Sequence, residues 1–121
     1  MKKKLKHIGF FKELPHGEET GGSLKDSIRS DVNSNQSEII RYLREGIPLI
    51  ISPRLTWDVI TNPPEIIGEL SILTDGIWAW PSDLPYYVEK YYLHLPNEFI
   101  QWLKSQRWKV PENIDIEILD F

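Results

Sequence analysis

Apolar residues along this chain recur at two periods, and the switches between them divide it into short strands and short helices. Residues 6–14 are β-inclined (His7, Ile8, Phe10, Phe11) and predict a first strand. The Pro, Gly and polar residues of 15–23 then predict a flexible loop. Ser23 is placed to cap a short helix running to about Arg29. Asn35 with Glu38 three residues on matches a capping box, which opens a helix over 36–45. Ile39, Ile40 and Leu43 form the buried stripe of that helix, and Gly46 suits a left-handed terminator.

The apolar run 47–52 is too short for a helix and predicts a buried strand, with Pro48 near its start or on an edge. Between it and Asn62-Pro63-Pro64 the pattern is ambiguous: Leu55, Val59 and Ile60 have helical spacing over barely two turns. Two β-rich runs, 66–73 and 77–80, flank Thr74-Asp75-Gly76, which predicts a tight hairpin because Gly reaches positive φ without steric cost. Ser82 or Asp83 caps a helix to about Leu93, with Leu84, Tyr87, Val88, Tyr91 and Leu95 inward and Tyr86 off that face. Pro96 opens another helix that Pro111 stops, with Phe99, Ile100 and Leu103 inward. The last segment alternates, with Ile114, Ile116 and Ile118 opposite Asp115 and Glu117, the period of a half-buried strand. These elements predict a single α+β domain over 1–121. It has a mixed or antiparallel sheet of about five strands, with three or four helices packed mainly on one face.

Composition narrows the chemistry. The 121 residues include no cysteine, which removes disulfides, thiolate catalysis and cysteine-containing zinc sites and fits a cytoplasmic setting. The lysine-rich start, residues 1–6, leads into too short an apolar run for a signal peptide and reads as a basic, frayed tail. No apolar run approaches membrane-spanning length, so no membrane partner is expected. The net charge is −4, unevenly placed: residues 1–60 hold ten basic and eight acidic side chains, and residues 61–121 hold four and ten. An acidic chain is a poor ligand for the phosphate backbone, so nucleic acid is not an expected partner either.

His7, His16 and His94 show no i, i+4 spacing, and no glycine-rich phosphate loop or nucleophile elbow occurs, so neither a metal nor a nucleotide cofactor is expected. Two surfaces remain. Asp75 and Asp83 bracket Trp78 and Trp80, whose rings point to one side of a strand and would either line a small-ligand, carbohydrate or catalytic pocket or fill the core. Glu112, Asp115, Glu117 and Asp120 form an acidic stretch without Lys or Arg, which would attract a basic protein. Tyr86 and Trp108 are candidate aromatic anchors beside it.

The strings GFFKELPHG (9–17), YLREGIPLIISP (42–53) and LTDGIWAWPSDLPYYVEKYYLHLPNEFI (73–100) resemble a family of small bacterial cytoplasmic proteins. Its members run from a GFFxEL start, through a strand ending in Ser-Pro, to LTDGxWxWPSDLxYYVxxYxxxLPxxF. The resemblance spans most of the chain, most weakly at 24–36 and 101–121, and its motifs point to no particular activity. In size and acidity such proteins are similar to the immunity proteins that neutralise polymorphic or contact-dependent bacterial toxins. LPNEFIQWLKSQ (95–106) also resembles a segment of the SUKH immunity superfamily, although the Asn-Gly-Gly that usually follows there is missing. The resemblance implies a non-enzymatic inhibitor that masks the active site of a basic toxin nuclease with carboxylates standing in for phosphates.

Overall fold

A computed structural model describes residues 2–121 as one α+β domain. Six strands are present among these residues: β1 (Lys3–Lys4), β2 (Lys6–His7), β3 (Ile47–Trp57), β4 (Ile66–Thr74), β5 (Trp78–Pro81) and β6 (Leu119–Asp120). Four helices accompany them: α1 (Leu24–Ser27), α2 (Gln36–Arg44), α3 (Leu84–Tyr91) and α4 (Asn97–Ser105). The main sheet has the order β2-β5-β4-β3, antiparallel except for the parallel β2–β5 pair, and β1 pairs in parallel with β6 in a second, two-stranded sheet.

The alternation of β5 organises the core. Trp78 and Trp80 face one way into the larger cluster, with Leu24 of α1, Tyr42 and Leu43 of α2, Tyr87 and Val88 of α3, and Phe99 and Leu103 of α4. Ala79 between them faces the other way, against Ile72, Leu5, Phe10 and Leu119. The helices therefore share one face of the main sheet, while the chain ends cover part of the opposite face.

The hairpin between β4 and β5 forms as its sequence predicts. Gly76 has φ +96°, Asp75 Oδ1 accepts from the Ile77 and Trp78 amides, and the Thr74 hydroxyl donates to the Trp78 carbonyl. Ser23 caps α1 as expected, and Glu13 reinforces it from outside by accepting from the Leu24 and Lys25 amides and the Ser23 hydroxyl. Burial works to raise the Glu13 carboxyl, but those donors hold it at about 2, well below the usual carboxylate range.

Several expectations are corrected. From Lys3 on, the lysine-rich start is not frayed: Lys3–Lys4 and Lys6–His7 are strands, Leu5 between them is buried, and Lys6 Nζ donates to Glu98 Oε1 at 2.9 Å, while Met1 lies outside the described residues. The predicted strand over 6–14 ends at His7, because Gly9, at φ +82°, turns the chain where its missing Cβ leaves room for Leu84. Asn35 precedes α2 without a side-chain cap; Asn33 instead bonds Gln36 and the Leu93 carbonyl, tying α2 to the end of α3. Gly46 is not left-handed: a Cβ there would lie 2.5 Å from the Trp80 ring, whose Nε1 donates to the Leu43 carbonyl. Close approach, not handedness, requires that glycine. The ambiguous segment after Ser52 continues β3 to Trp57, and 116–118 is a 3₁₀ turn that leaves Ile116 and Ile118 exposed. The alternation over 114–118 therefore does not form the predicted strand, and only the two-residue β6 follows it.

Candidate functional site

The four residues of the sequence-predicted pocket are all buried. Trp78 and Trp80 pack edge-on against Phe99, so their rings line no cleft. Asp75, besides closing its turn, accepts through Oδ2 from the Trp102 indole at 2.8 Å and from the Tyr42 hydroxyl. Burial and that carboxylate push the Tyr42 hydroxyl far above the usual phenol range. Each Asp75 oxygen thus has two donors, which accounts for the residue structurally. Asp83 is the N-cap residue of α3, as one of the two predicted, but its side chain does not make the cap hydrogen bond; its Oδ2 accepts from the Thr56 hydroxyl at 2.7 Å and lies 2.9 Å from His16 Nε2, misaligned for a hydrogen bond, while Oδ1 has no protein partner. Of the two readings of this strand, core and pocket, the structure gives core, with the two aspartates as its polar fastenings.

The acidic segment is different. Glu112, Asp115, Glu117 and Asp120 are all exposed. The chain reaches them through consecutive left-handed residues, Arg107 (φ 54°) and Trp108 (φ 61°), followed by Asn113 (φ 59°). The Trp108 amide closes the end of α4 on the Leu103 carbonyl. Asp115 then accepts from the Glu117 amide and starts the 3₁₀ turn. The result is an open groove of about 300 Å³ whose lining includes Trp102, Ile118, Glu112, Asp115, Lys3 and the buried Asp75. Trp102 and Ile118 were not among the sequence candidates; nothing in the helical spacing separates Trp102 from an ordinary core residue.

Of the two proposed aromatic anchors, neither is a freely exposed ring. Trp108 is half-buried and packs against the main core. Tyr86 joins a polar cluster instead: the buried Asp58 accepts through Oδ2 from the Tyr86 hydroxyl at 2.7 Å and the Tyr91 hydroxyl at 2.8 Å, with Lys90 Nζ at 3.4 Å, and through Oδ1 from the Ile60 and Thr61 amides. Burial opposes the charge, but these donors hold the Asp58 carboxyl below its usual range, while burial and Asp58 together push Tyr91 up to about 12. The cluster fastens the connection between β3 and β4 onto α3. Its sequence signal was an Asp followed by a Thr three residues later, a turn pattern hidden inside the ambiguous helical spacing.

Among the described residues no group of three or more His, Asp or Glu side chains is placed to hold a metal ion, and no helix is long and apolar enough to cross a membrane. The fold and the surface define the class as a single α+β domain with an acidic, partly apolar groove. Compared with family models, curated proteins and solved structures, the chain shows no match.

Proposed function

We propose that this protein is a non-enzymatic binding protein whose acidic C-terminal face takes a basic protein, and that the partner is a cognate bacterial toxin, a basic nuclease in the cytoplasm, neutralised by masking its active site. The supporting observation is the groove beside Trp102. Four carboxylates stand exposed on the segment that forms it, and Ile116 and Ile118 lie exposed among them. Carboxylates steer a basic partner at long range, and apolar side chains among them supply the burial that slows dissociation. The motif-bearing aspartates and tryptophans are occupied in holding the fold together, which leaves this surface as the part of the candidate set accessible to a macromolecule.

The test is co-expression with the product of the adjacent upstream reading frame, with growth and complex formation as readouts. Rescued growth and a complex that weakens with salt support the reading. In the triple variant Asp115→Lys, Glu117→Lys, Asp120→Lys, the fold should persist while affinity falls at least tenfold. Unchanged affinity in that variant removes the acidic face from the mechanism, and a harmless neighbour that forms no complex removes the toxin.

A further inference from the structure

His7, at the end of β2, joins three separate stretches of the chain. Its Nδ1 lies 2.9 Å from Glu18 Oε2, its Nε2 lies 2.6 Å from the main-chain oxygen of Phe121, and its ring stacks on the Phe121 ring at 4.3 Å. A carboxylate and a main-chain oxygen both accept and neither donates, so this arrangement is complete only when both ring nitrogens carry a proton. A neutral imidazole has one N–H, and its second nitrogen turns a lone pair toward an oxygen.

The two oxygens are held differently. Glu18 sits in a turn closed by its amide on the Phe10 carbonyl and by the Gly21 amide on its own carbonyl. A Cβ on Gly21 would lie 2.1 Å from the Phe10 oxygen, so the turn is seated by close approach. Phe121 instead closes a segment, 112–121, in which only Leu119 is buried. That segment is tied to the rest of the domain from Leu119 onward, by the pairing of β6 with β1, the Leu5 amide donating to the Asp120 carbonyl at 2.9 Å, and the Phe121 oxygen. Lys4 Nζ shares that oxygen at 2.8 Å. Of the other elements around the ring, β5 pairs Ala79 with His7 and brings no charge, Lys6 is occupied by Glu98, and His94 lines the same cavity of about 460 Å³.

We propose that His7 is a proton-operated latch: with two protons it holds residues 119–121 against β1, and on losing one as pH rises it releases them. The remaining proton stays on Nδ1, because no other donor reaches the Glu18 carboxylate among the described residues, whereas the Phe121 oxygen keeps Lys4. The Nε2 lone pair then faces the Phe121 oxygen, and the short β6 has little else to hold it. Glu112, Asp115, Glu117 and Asp120 all lie on the released segment, so the latch regulates the acidic face. That consequence rests on the function proposed above; the latch itself does not.

Amide hydrogen exchange on the chain alone, read by NMR, tests it, with the Leu5 amide as reporter because it donates to Asp120. From pH ~5 to ~8, the range in which histidine side chains change charge, Leu5 exchange corrected for intrinsic base catalysis should quicken by about tenfold or more. The change should track the loss of a proton from His7, the neutral ring should carry its proton on Nδ1, and the Ile39 amide, bonded to Asn35 at the start of α2, should stay protected. His7→Gln should abolish the pH dependence. Glu18→Gln should keep the segment docked throughout, since an amide can donate to Nδ1 while Nε2–H still donates to Phe121. Leu5 protection that ignores the His7 titration, a neutral ring protonated on Nε2, an unaltered pH dependence in His7→Gln, or equal loosening at Ile39 overturns the latch. Because no partner enters the measurement, its failure leaves the acidic face as a binding surface, and absence of a basic partner leaves the latch standing.

Discussion

β5 and β3 are both apolar strands of one sheet, yet one is wholly inside and the other mostly outside. Trp78, Ala79, Trp80 and Pro81 are all buried, whereas of the eleven residues in β3 only Thr56 is. The difference is position. β5 lies between two neighbours, with helices over one face and the chain ends over the other, so every side chain meets a wall. β3 has one neighbour, and covering elements reach only part of it. The cross-strand pair Ile50 and Ile72 shows this within a single rung: the same residue type is 45% exposed on β3 and 9% on β4. Apolar content therefore drives burial only where the topology supplies a surface to bury against, and where it does not, the same residues become a surface for something else.

The largest effect expected from this contrast is at Trp80. Trp80→Ala should destabilise the fold by about 3–5 kcal/mol in urea denaturation, since the ring touches α2 and α4 and its indole satisfies the Leu43 carbonyl. A loss under ~1 kcal/mol would mean the site collapses freely, and the contrast between a packed centre and an open edge would fail.

Next is the fastening that keeps the open edge in place. Asp58→Asn should destabilise by about 2–3 kcal/mol, because two tyrosine hydroxyls and the Lys90 ammonium lose their carboxylate. The same variant has a second readout: Tyr91, pushed up by burial and by Asp58 to about 12, should titrate closer to the ordinary phenol value near ~10 in an ultraviolet titration. Unaltered tyrosine titration would show that burial alone sets it.

A smaller effect, with a pH signature, is expected at Glu13. Its folded pKa of about 2 lies below the usual carboxylate value, so the stabilisation is fully present above the unfolded value and fades as pH falls through the window from ~4.5 toward 2. Glu13→Gln should lower stability at pH 7 by about 1 kcal/mol, with the gap to wild type closing as pH approaches 2. A gap independent of pH would show that the side chain acts by shape alone.

How much of this was legible in the sequence follows the same division. Asp75-Gly76 fixed a turn because its requirement is local: a positive φ and a carboxylate within reach of the next two amides. The burial of Trp78 and Trp80 was legible as one of two readings, since alternation places both rings on one side without saying what covers that side. The edge position of β3 was only hinted at, by Pro48, because strand order depends on long-range pairing that local spacing does not encode. The same limit explains the lysine-rich start. Lys3–Lys4 is a strand only because Leu119–Asp120, at the far end of the chain, lies alongside it. At the candidate site, the four carboxylates were visible as charge, but Trp102 and Ile118 beside them came from the left-handed turns after α4, which fall on Arg107 and Trp108 rather than on the glycine that would have signalled them.

The smallest expected effect is at the most exposed of the apolar side chains. Ile51→Ser should change stability in urea denaturation by no more than ~0.5 kcal/mol, because a side chain already in water gives up little burial. A large loss would place Ile51 in the core after all, and the contrast between β5 and β3 would then be one of degree rather than of role.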